Sequence, residues 1–266
     1  MHSILRTCVD YIQFYNRSYS AAGHGIHSPF VYQFSRSVLG DKSTYPAYRT
    51  WALWRKELLG DTTMLPIVEM GAGSATAPGR SARRVADLAR RVSKPERAGR
   101  LLFRIAKYYQ PASIIELGTS LGLSAAFFSL ARPSATLYTI EGNTAIADKA
   151  RSHFDRWGLH NVQSINGHFD ATLPALLKQV KQVDLAFLDG NHQLEPTLRY
   201  FEWLLSKRQP GSVFIIDDIY WSQEMKAAWS AIKKYPEVRC TIDLFQFGLV
   251  FFREEFKEPC HFSIRF

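Results

Sequence analysis

With 266 residues, 46% of them hydrophobic and 14% aromatic, the chain can bury a full core, which excludes a disordered, collagen-like or fibrous protein. It holds no run of about 18 uninterrupted apolar residues, so no transmembrane helix is expected, and the start MHSILRTCVDYIQFY lacks the sections of a secretory leader. A net charge of +9 and three scattered cysteines, Cys8, Cys240 and Cys260, leave a cytoplasmic enzyme in a reducing compartment as the expectation.

In chain order, residues 1–99 read as a helical N-terminal extension or lid before a domain at 100–266. The stretch HGIHSPFVYQF (24–34) puts His24 and His27 three apart, but Gly25 and Pro29 favour a loop, with a structural or substrate-lid role. TYPAYRTWALWRKELLG (44–60) follows, and helices are predicted over 80–92 and 96–109. Between them EMGAGS (69–74) resembles a nucleotide loop, yet Pro78-Gly79 breaks the helix that should follow it. A lone GxG is weak, and 69–79 is read as a flexible loop or lid. Most of the positive charge falls between Arg80 and Lys107. Such a segment attracts nucleic acid, an anionic membrane or an acidic substrate, or is a solvated helix face.

From Pro111 strands and helices alternate with short connections, the pattern of a mostly parallel α/β sheet covered on both faces. Strands are predicted near 113–118, 136–141, 162–166, 183–189, 211–217, 237–243 and 246–252. Helices are predicted near 122–132, 144–157, 171–180, 193–206 and 222–234. The last two strands are close enough to form an antiparallel hairpin.

The chemistry sits at the strand ends. IIELGTSLGLS (114–124) is a strand, a glycine turn through Gly118, Thr119, Ser120 and Gly122, and a helix start. The next strand, LYTIE, ends in Glu141, followed by Gly142. Glycines admit a ligand to the backbone, and an acid at the next strand tip can hold ribose hydroxyls. Gly167-His168-Phe169 forms a turn that either lies against an adenine or only joins strand to helix, with Asp170 as the expected N-cap. VDLAFLDGNH places Asp189 and His192, and VFIIDDIYWS places Asp217 and Asp218, at one sheet edge where ligands bind. Converging carboxylates need a compensating charge, and oxygen donors suit Mg²⁺, Mn²⁺ or Ca²⁺. The competing readings are that Asp217 or Asp218 caps the next helix and that Asp189 only contacts the cofactor. Trp221 is either a substrate wall or packing beneath the sheet edge.

Residues 100–253, through ELGTSLGLS, TIEGN, FLDGNH and the DD pair, resemble the class I S-adenosylmethionine-dependent methyltransferases. The catechol and caffeoyl-CoA O-methyltransferase branch is the most similar, and HGIHSPFVY and DDIYWS are also similar to an uncharacterised bacterial methyltransferase group. The resemblance implies a seven-stranded Rossmann-like sheet with a terminal antiparallel hairpin. It puts Glu116, Gly118, Gly122 and Ser124 around the methionine part of S-adenosyl-L-methionine, Glu141 at the ribose and Gly167, His168 and Phe169 at the adenine. Asp189, Asp217 and Asp218 fall where the metal-dependent branch binds Mg²⁺ or Mn²⁺, Asp218 replacing the usual Asn. His192 replaces the branch's lysine base. The implied reaction is O-methyl transfer to a small-molecule hydroxyl, with Asp189 and His192 catalytic. RNA binding through the basic segment and a non-catalytic cofactor-binding scaffold are the alternatives, and a homodimer is compatible with each.

Overall fold

The computed structural model describes residues 4–68, 80–92 and 94–266, so the reading of 69–79 as a loop or lid lies outside the described residues. The chain begins with α1 (Ile4–Arg17), a short β1 (Tyr19–Ser20) and α2 (Pro29–Phe34), which runs into a π-helical turn at Ser35–Leu39. Then come α3 (Pro46–Gly60), β2 (Met64–Val68), β3 (Arg80–Arg84), α4 (Val85–Val92) and α5 (Glu96–Tyr109). Strand and helix alternate next: β4 (Ser113–Leu117), α6 (Leu123–Ala131), β5 (Thr136–Glu141), α7 (Thr144–Arg156), β6 (Val162–Asn166) and α8 (Phe169–Gln179). The alternation continues with β7 (Val183–Leu188), α9 (Leu194–Leu205), β8 (Arg208–Asp217) and α10 (Gln223–Ile232). Three strands close the chain, β9 (Cys240–Asp243), β10 (Phe247–Phe251) and β11 (Cys260–Arg265). No helix among the described residues is long and apolar enough to cross a membrane.

Two compact units result, one of residues 42–176 and one of residues 1–41 with 177–266. In the unit 42–176, β4, β5 and β6 are parallel neighbours, and their register sets Glu116 beside Thr139 and Glu141 beside Asn166. The apolar runs in these strands supply the core because side chains alternate across a sheet covered on both faces. α3 packs where the loop after β4 turns into α6. Its Trp51 stacks on Phe127 at 4.5 Å and donates its indole N–H to the Leu123 carbonyl at 2.9 Å. A second ring column in this unit runs from Trp54 to Trp157 at 4.6 Å and on to His153 at 5.1 Å.

The predicted helix over 80–92 is half strand. β2 and β3 pair antiparallel, Met64 opposite Arg84 and Val68 opposite Arg80, and the helix starts only at Val85. The ladder offered by MLPIV outweighs the helix propensity of the arginines, since strand formation depends on the partner more than on the residue itself. From Val85 the helical spacing takes over, with Val85, Ala86, Leu88 and Ala89 buried.

In the other unit β7 and β8 are parallel, β10 is antiparallel to both β8 and β9, β11 is parallel to β9, and β1 is parallel to β11. All seven predicted strands are present, including the antiparallel hairpin, and β1 and β11 extend the set beyond that hairpin. Two residues of β1 and the mixed CHFSIR of β11 carry no strand pattern of their own, so their pairing comes from the sheet edge that receives them. β8 starts at Arg208, before the predicted position, and the ladder shifts register between Val183 and Leu185, opposite the Pro210-Gly211 step.

HGIHSPFVYQF is explained largely by packing. Ser28 caps α2, accepting from the Val31 N–H at 3.4 Å, and Pro29 fits its first turn. Val31 and Phe34 are buried, and Phe30 meets Phe251 and Phe256 edge-on at 5.0 and 5.4 Å. His24 and His27 are exposed.

Candidate active site

The loop after β4 has a backbone only partly available to ordinary residues. Gly118 and Gly122 have φ of 100° and 86°, and Ser120 joins them at 48°. Gly122 starts α6, and a Cβ there would stand 2.5 Å from the Phe154 ring. Position 122 therefore needs glycine for its φ and for the close approach of α7. Glu141 ties the loop to the next strand: its Oε2 accepts from the Ser120 N–H and its Oε1 from the Asn143 N–H, both at 3.0 Å. Burial pushes the Glu141 pKa up against these bonds.

Glu116 is fully buried at the end of β4. Its Oε2 accepts from the Thr139 hydroxyl at 2.5 Å, and Thr139 meets Thr119 at 2.6 Å. Its Oε1 is buried with no hydrogen-bond donor within bonding geometry. Burial raises the Glu116 pKa to about 7, opposed by the hydroxyls of Ser124 and Thr139. A buried carboxylate with an unused oxygen beside a glycine turn fits a ligand carrying a cationic or N–H donor.

His153, buried behind the same loop, places Nδ1 3.2 Å from the Leu121 carbonyl. Burial lowers its pKa to about 4. The two groups act oppositely on stability. Glu116, raised from 4.5 to about 7, binds a proton more readily when folded, so its contribution is lost as pH rises from about 4.5 to about 7. His153, lowered from 6.5 to about 4, contributes stability that is lost as pH falls from about 6.5 to about 4. In chemical denaturation of the ligand-free protein across pH 4–8 these two contributions should therefore nearly cancel between pH 5 and 6. Glu116→Gln should turn that window into a rise with pH, and a flat profile for the variant would count against the raised carboxyl.

At the β6 end, Gly167 is held close to Thr172, where a Cβ would meet the hydroxyl at 2.3 Å. α8 begins at Phe169, so Asp170 lies in the first turn and is not the N-cap expected from the sequence. The exposed His168 serves that end instead, its Nδ1 accepting from the Asp170 N–H at 3.4 Å. Gly142 follows Glu141 directly and its carbonyl accepts from Asn166 at 3.4 Å.

The unit of residues 1–41 and 177–266 carries the acidic edge. Ligand atoms of Asp189, His192 and Asp217 lie within 4.8 Å of one another, with Asp217 buried and the other two half-buried. His192 Nε2 is 3.7 Å from Asp189 Oδ1. Asp218, in the left-handed region at φ 51°, is outside this group of three. The sequence puts His192 as a base beside a metal set of Asp189, Asp217 and Asp218, and among the described residues the fold brings His192 within reach of Asp189 and Asp217. Neither Asp217 nor Asp218 caps α10, because Ser222 does, accepting from the Met225 N–H at 3.1 Å. Trp221 is 54% exposed, which rules out packing beneath the sheet edge.

α1 lies along the same edge. Asp217 pairs with Phe247, and Asp243 with the adjacent Gly248, so the β9–β10 turn stands beside the acidic group. Phe14 and Tyr11 of α1 pack on Phe245 of that turn at 5.4 and 5.0 Å, and Tyr220 stacks on Phe245 at 4.6 Å. Asp10 pairs with Lys226 at 2.8 Å. Arg17 donates to the Tyr220 hydroxyl and pairs with Asp243 at 3.7 Å, while Tyr220 donates to Asp243 at 2.8 Å. Tyr220, Asp243 and Arg17 beside the acidic group, and His153 and Thr139 beside the glycine loop of the unit 42–176, were not singled out by the sequence. Only the position of Tyr220 beside DD offered a signal.

The basic segment is partly self-compensated. Asp87 pairs with Arg90 at 2.7 Å and with Arg84 at 4.0 Å, and Glu96 bonds Arg100 at 2.5 Å. These exposed pairs suit a solvated face and contribute little to stability.

Residues 115–219 match a family model described as a methyltransferase domain. A catechol O-methyltransferase of Niastella koreensis is 30% identical over 131 residues, which cover 48% of this chain and 58% of that protein. The chain thus spans less than two-thirds of that curated relative. Among solved structures, the SAH-bound methyltransferase PaMTH1 of Podospora anserina is 15% identical with a TM-score of 0.59, covering 86% of this chain and 97% of that one. The O-methyltransferase TomG of Streptomyces achromogenes, involved in tomaymycin synthesis and solved with SAM, is 21% identical with a TM-score of 0.54, covering 84% and 95%. These structural likenesses establish the fold. Residues 115–219 therefore resemble a methyltransferase domain, and the chain has an α/β Rossmann-like methyltransferase fold with a mostly parallel sheet.

Proposed function

We propose that this protein transfers a methyl group from S-adenosyl-L-methionine to a hydroxyl of a small molecule. The convergence of Asp189, His192 and Asp217 within 4.8 Å carries the acceptor side of this reading. The transfer is an in-line displacement at a sulfonium carbon, so the protein's main work is alignment and removal of the acceptor's proton. In this reading Glu116 receives the donor's methionine end, its unused buried oxygen facing a cationic amine. Glu141 keeps lone pairs for the ribose while its two backbone bonds hold the loop, and Gly167, His168 and Phe169 border the adenine. His192, held by Asp189, takes the hydroxyl proton. Trp221 and the α1 aromatics would form the acceptor's apolar surroundings.

Asp189 and Asp217, with Asp218 adjacent, are suited to hold a divalent cation, and His192 adds a nitrogen donor that admits Mn²⁺ as readily as Mg²⁺. Such an ion, when bound, lowers the pKa of a hydroxyl in its coordination shell.

The test is calorimetric and enzymatic. The protein should bind S-adenosylhomocysteine, and Glu141→Ala should weaken that binding by roughly tenfold or more, the loss expected for one or two charge-assisted hydrogen bonds. Turnover of a catechol panel should fall with a chelator and return with Mn²⁺. If S-adenosylhomocysteine fails to bind, the donor assignment is wrong. Turnover indifferent to chelation would remove the cation and leave His192 with Asp189 as the whole acceptor machinery.

A further inference from the structure

The sequence scatters its cysteines, but the fold brings two of them together. Cys240 opens β9 and Cys260 opens β11, and they are direct partners in the parallel ladder between those strands. Neighbouring strands lie about 4.8 Å apart and in-register partners face the same side of a sheet. That spacing is inside the Cα range of about 4.4–6.8 Å that a disulfide spans. The start of β11 is fixed by the Cys260 N–H donating to the Arg239 carbonyl at 3.0 Å. Both cysteines are reduced, Cys240 buried and Cys260 half-buried, whereas Cys8 is exposed on α1.

We propose that Cys240 and Cys260 form a dithiol–disulfide site, oxidised by hydroperoxides, that covalently fastens β11 to β9. The neighbouring thiols push Cys240 up and pull Cys260 down, and Cys260 is half-buried where Cys240 is buried, which makes the more accessible Cys260 the attacking sulfur. Its thiolate attacks the peroxide oxygen, the O–O bond breaks, and a sulfenic acid and one water (or alcohol) result. The Cys240 thiol then displaces the sulfenic oxygen as water, and the S–S bond forms. Two thiols have given up two electrons and two hydrogens, and one peroxide has been reduced.

The bond would act beyond the two strands. β11 carries β1, and β1 follows α1, which lies along the acidic edge. β9 ends at Asp243, the partner of Tyr220 and Arg17. Oxidation would close a covalent loop around the hairpin that supports this edge, independently of what reaction occurs there.

The experiment treats the reduced full chain with hydrogen peroxide, alkylates it under denaturing conditions and maps the peptides by mass. The expected product is a monomer lighter by two hydrogens, with Cys240 linked to Cys260 and only Cys8 alkylated. Its thermal midpoint should rise by several degrees and return on reduction. Cys8→Ser should leave the product unchanged, and Cys260→Ser, which spares the buried position, should abolish it. Alkylation of all three cysteines, sulfinic acid at Cys260 without a crosslink, or a Cys8-linked dimer as the main product would overturn the proposal.

Discussion

Asp217→Asn should lower methyl transfer by about a hundredfold or more, while leaving S-adenosylhomocysteine affinity within about twofold of the parent. The size follows from losing several kcal/mol of charge stabilisation at the acceptor oxygen, where about 1.4 kcal/mol is a factor of ten. The selectivity follows from placement: Asp217 lies with Asp189 and His192, whereas the residues proposed for the cofactor's methionine and ribose are Glu116 and Glu141. Asparagine keeps the shape of a fully buried side chain, so the unfolding midpoint should change little. His192→Gln separates two roles for the imidazole. If it is the base, the variant should keep its Mn²⁺ affinity and lose the acidic limb of its pH–rate profile. If it is a ligand, Mn²⁺ affinity should fall by about 10–100-fold, as it does when a metal's coordination is disturbed. Wild-type rates for Asp217→Asn would sink the acceptor-side assignment as a whole.

Gly122→Ala should be strongly damaging, because it combines a left-handed φ with a close approach. An L-residue at φ 86° costs about 1–2 kcal/mol, and a Cβ 2.5 Å from a Phe154 ring carbon adds about 1–3 kcal/mol of overpacking. Together these predict a loss of about 2–5 kcal/mol, read as a lower denaturation midpoint. Cofactor affinity should fall alongside, because α7 and the loop turn can only separate by moving Ser120 away from Glu141. Phe154→Leu in the same chain should restore part of the stability by removing the clash, but not the part due to φ. The double-mutant cycle therefore reads the two costs separately. Additive losses would mean that the ring moves aside freely and that the close approach is incidental.

What the sequence revealed and what it concealed divide along physical lines. Apolar runs such as SIIEL and VDLAFL announce strands because both faces of a parallel sheet are buried, and the acids at or just past their ends are placed by those strands. Glu116, Glu141, Asp189 and Asp217 were legible for that reason. His192 was read at one edge with Asp189, Asp217 and Asp218, but which of these ligand atoms would lie closest together could not be read. Its inclusion with Asp189 and Asp217, leaving Asp218 aside, depends on left-handed turns at Asn191, His192 and Asp218 that no local pattern announces. The same holds for Arg80–Arg84, whose strand exists only because β2 lies opposite. Cys240 with Cys260 and Arg17 with Asp243 are pairings across long stretches of chain, and single-sequence periodicity contains no information about them.

The parallel pairing of β1 with β11 imposes an order on how the molecule is made. Arg265 donates to the Tyr15 carbonyl across 250 positions of sequence, and Ala21 bonds back to Arg265. At about 5–20 residues per second on the ribosome, α1 would wait on the order of tens of seconds before its β11 anchor exists. For that interval the apolar side chains of α1, with Phe14 at their centre, have no completed edge to cover. The nascent chain thus presents a sticky helix early and buries it late, which makes α1 the segment on which a chaperone would have most to gain.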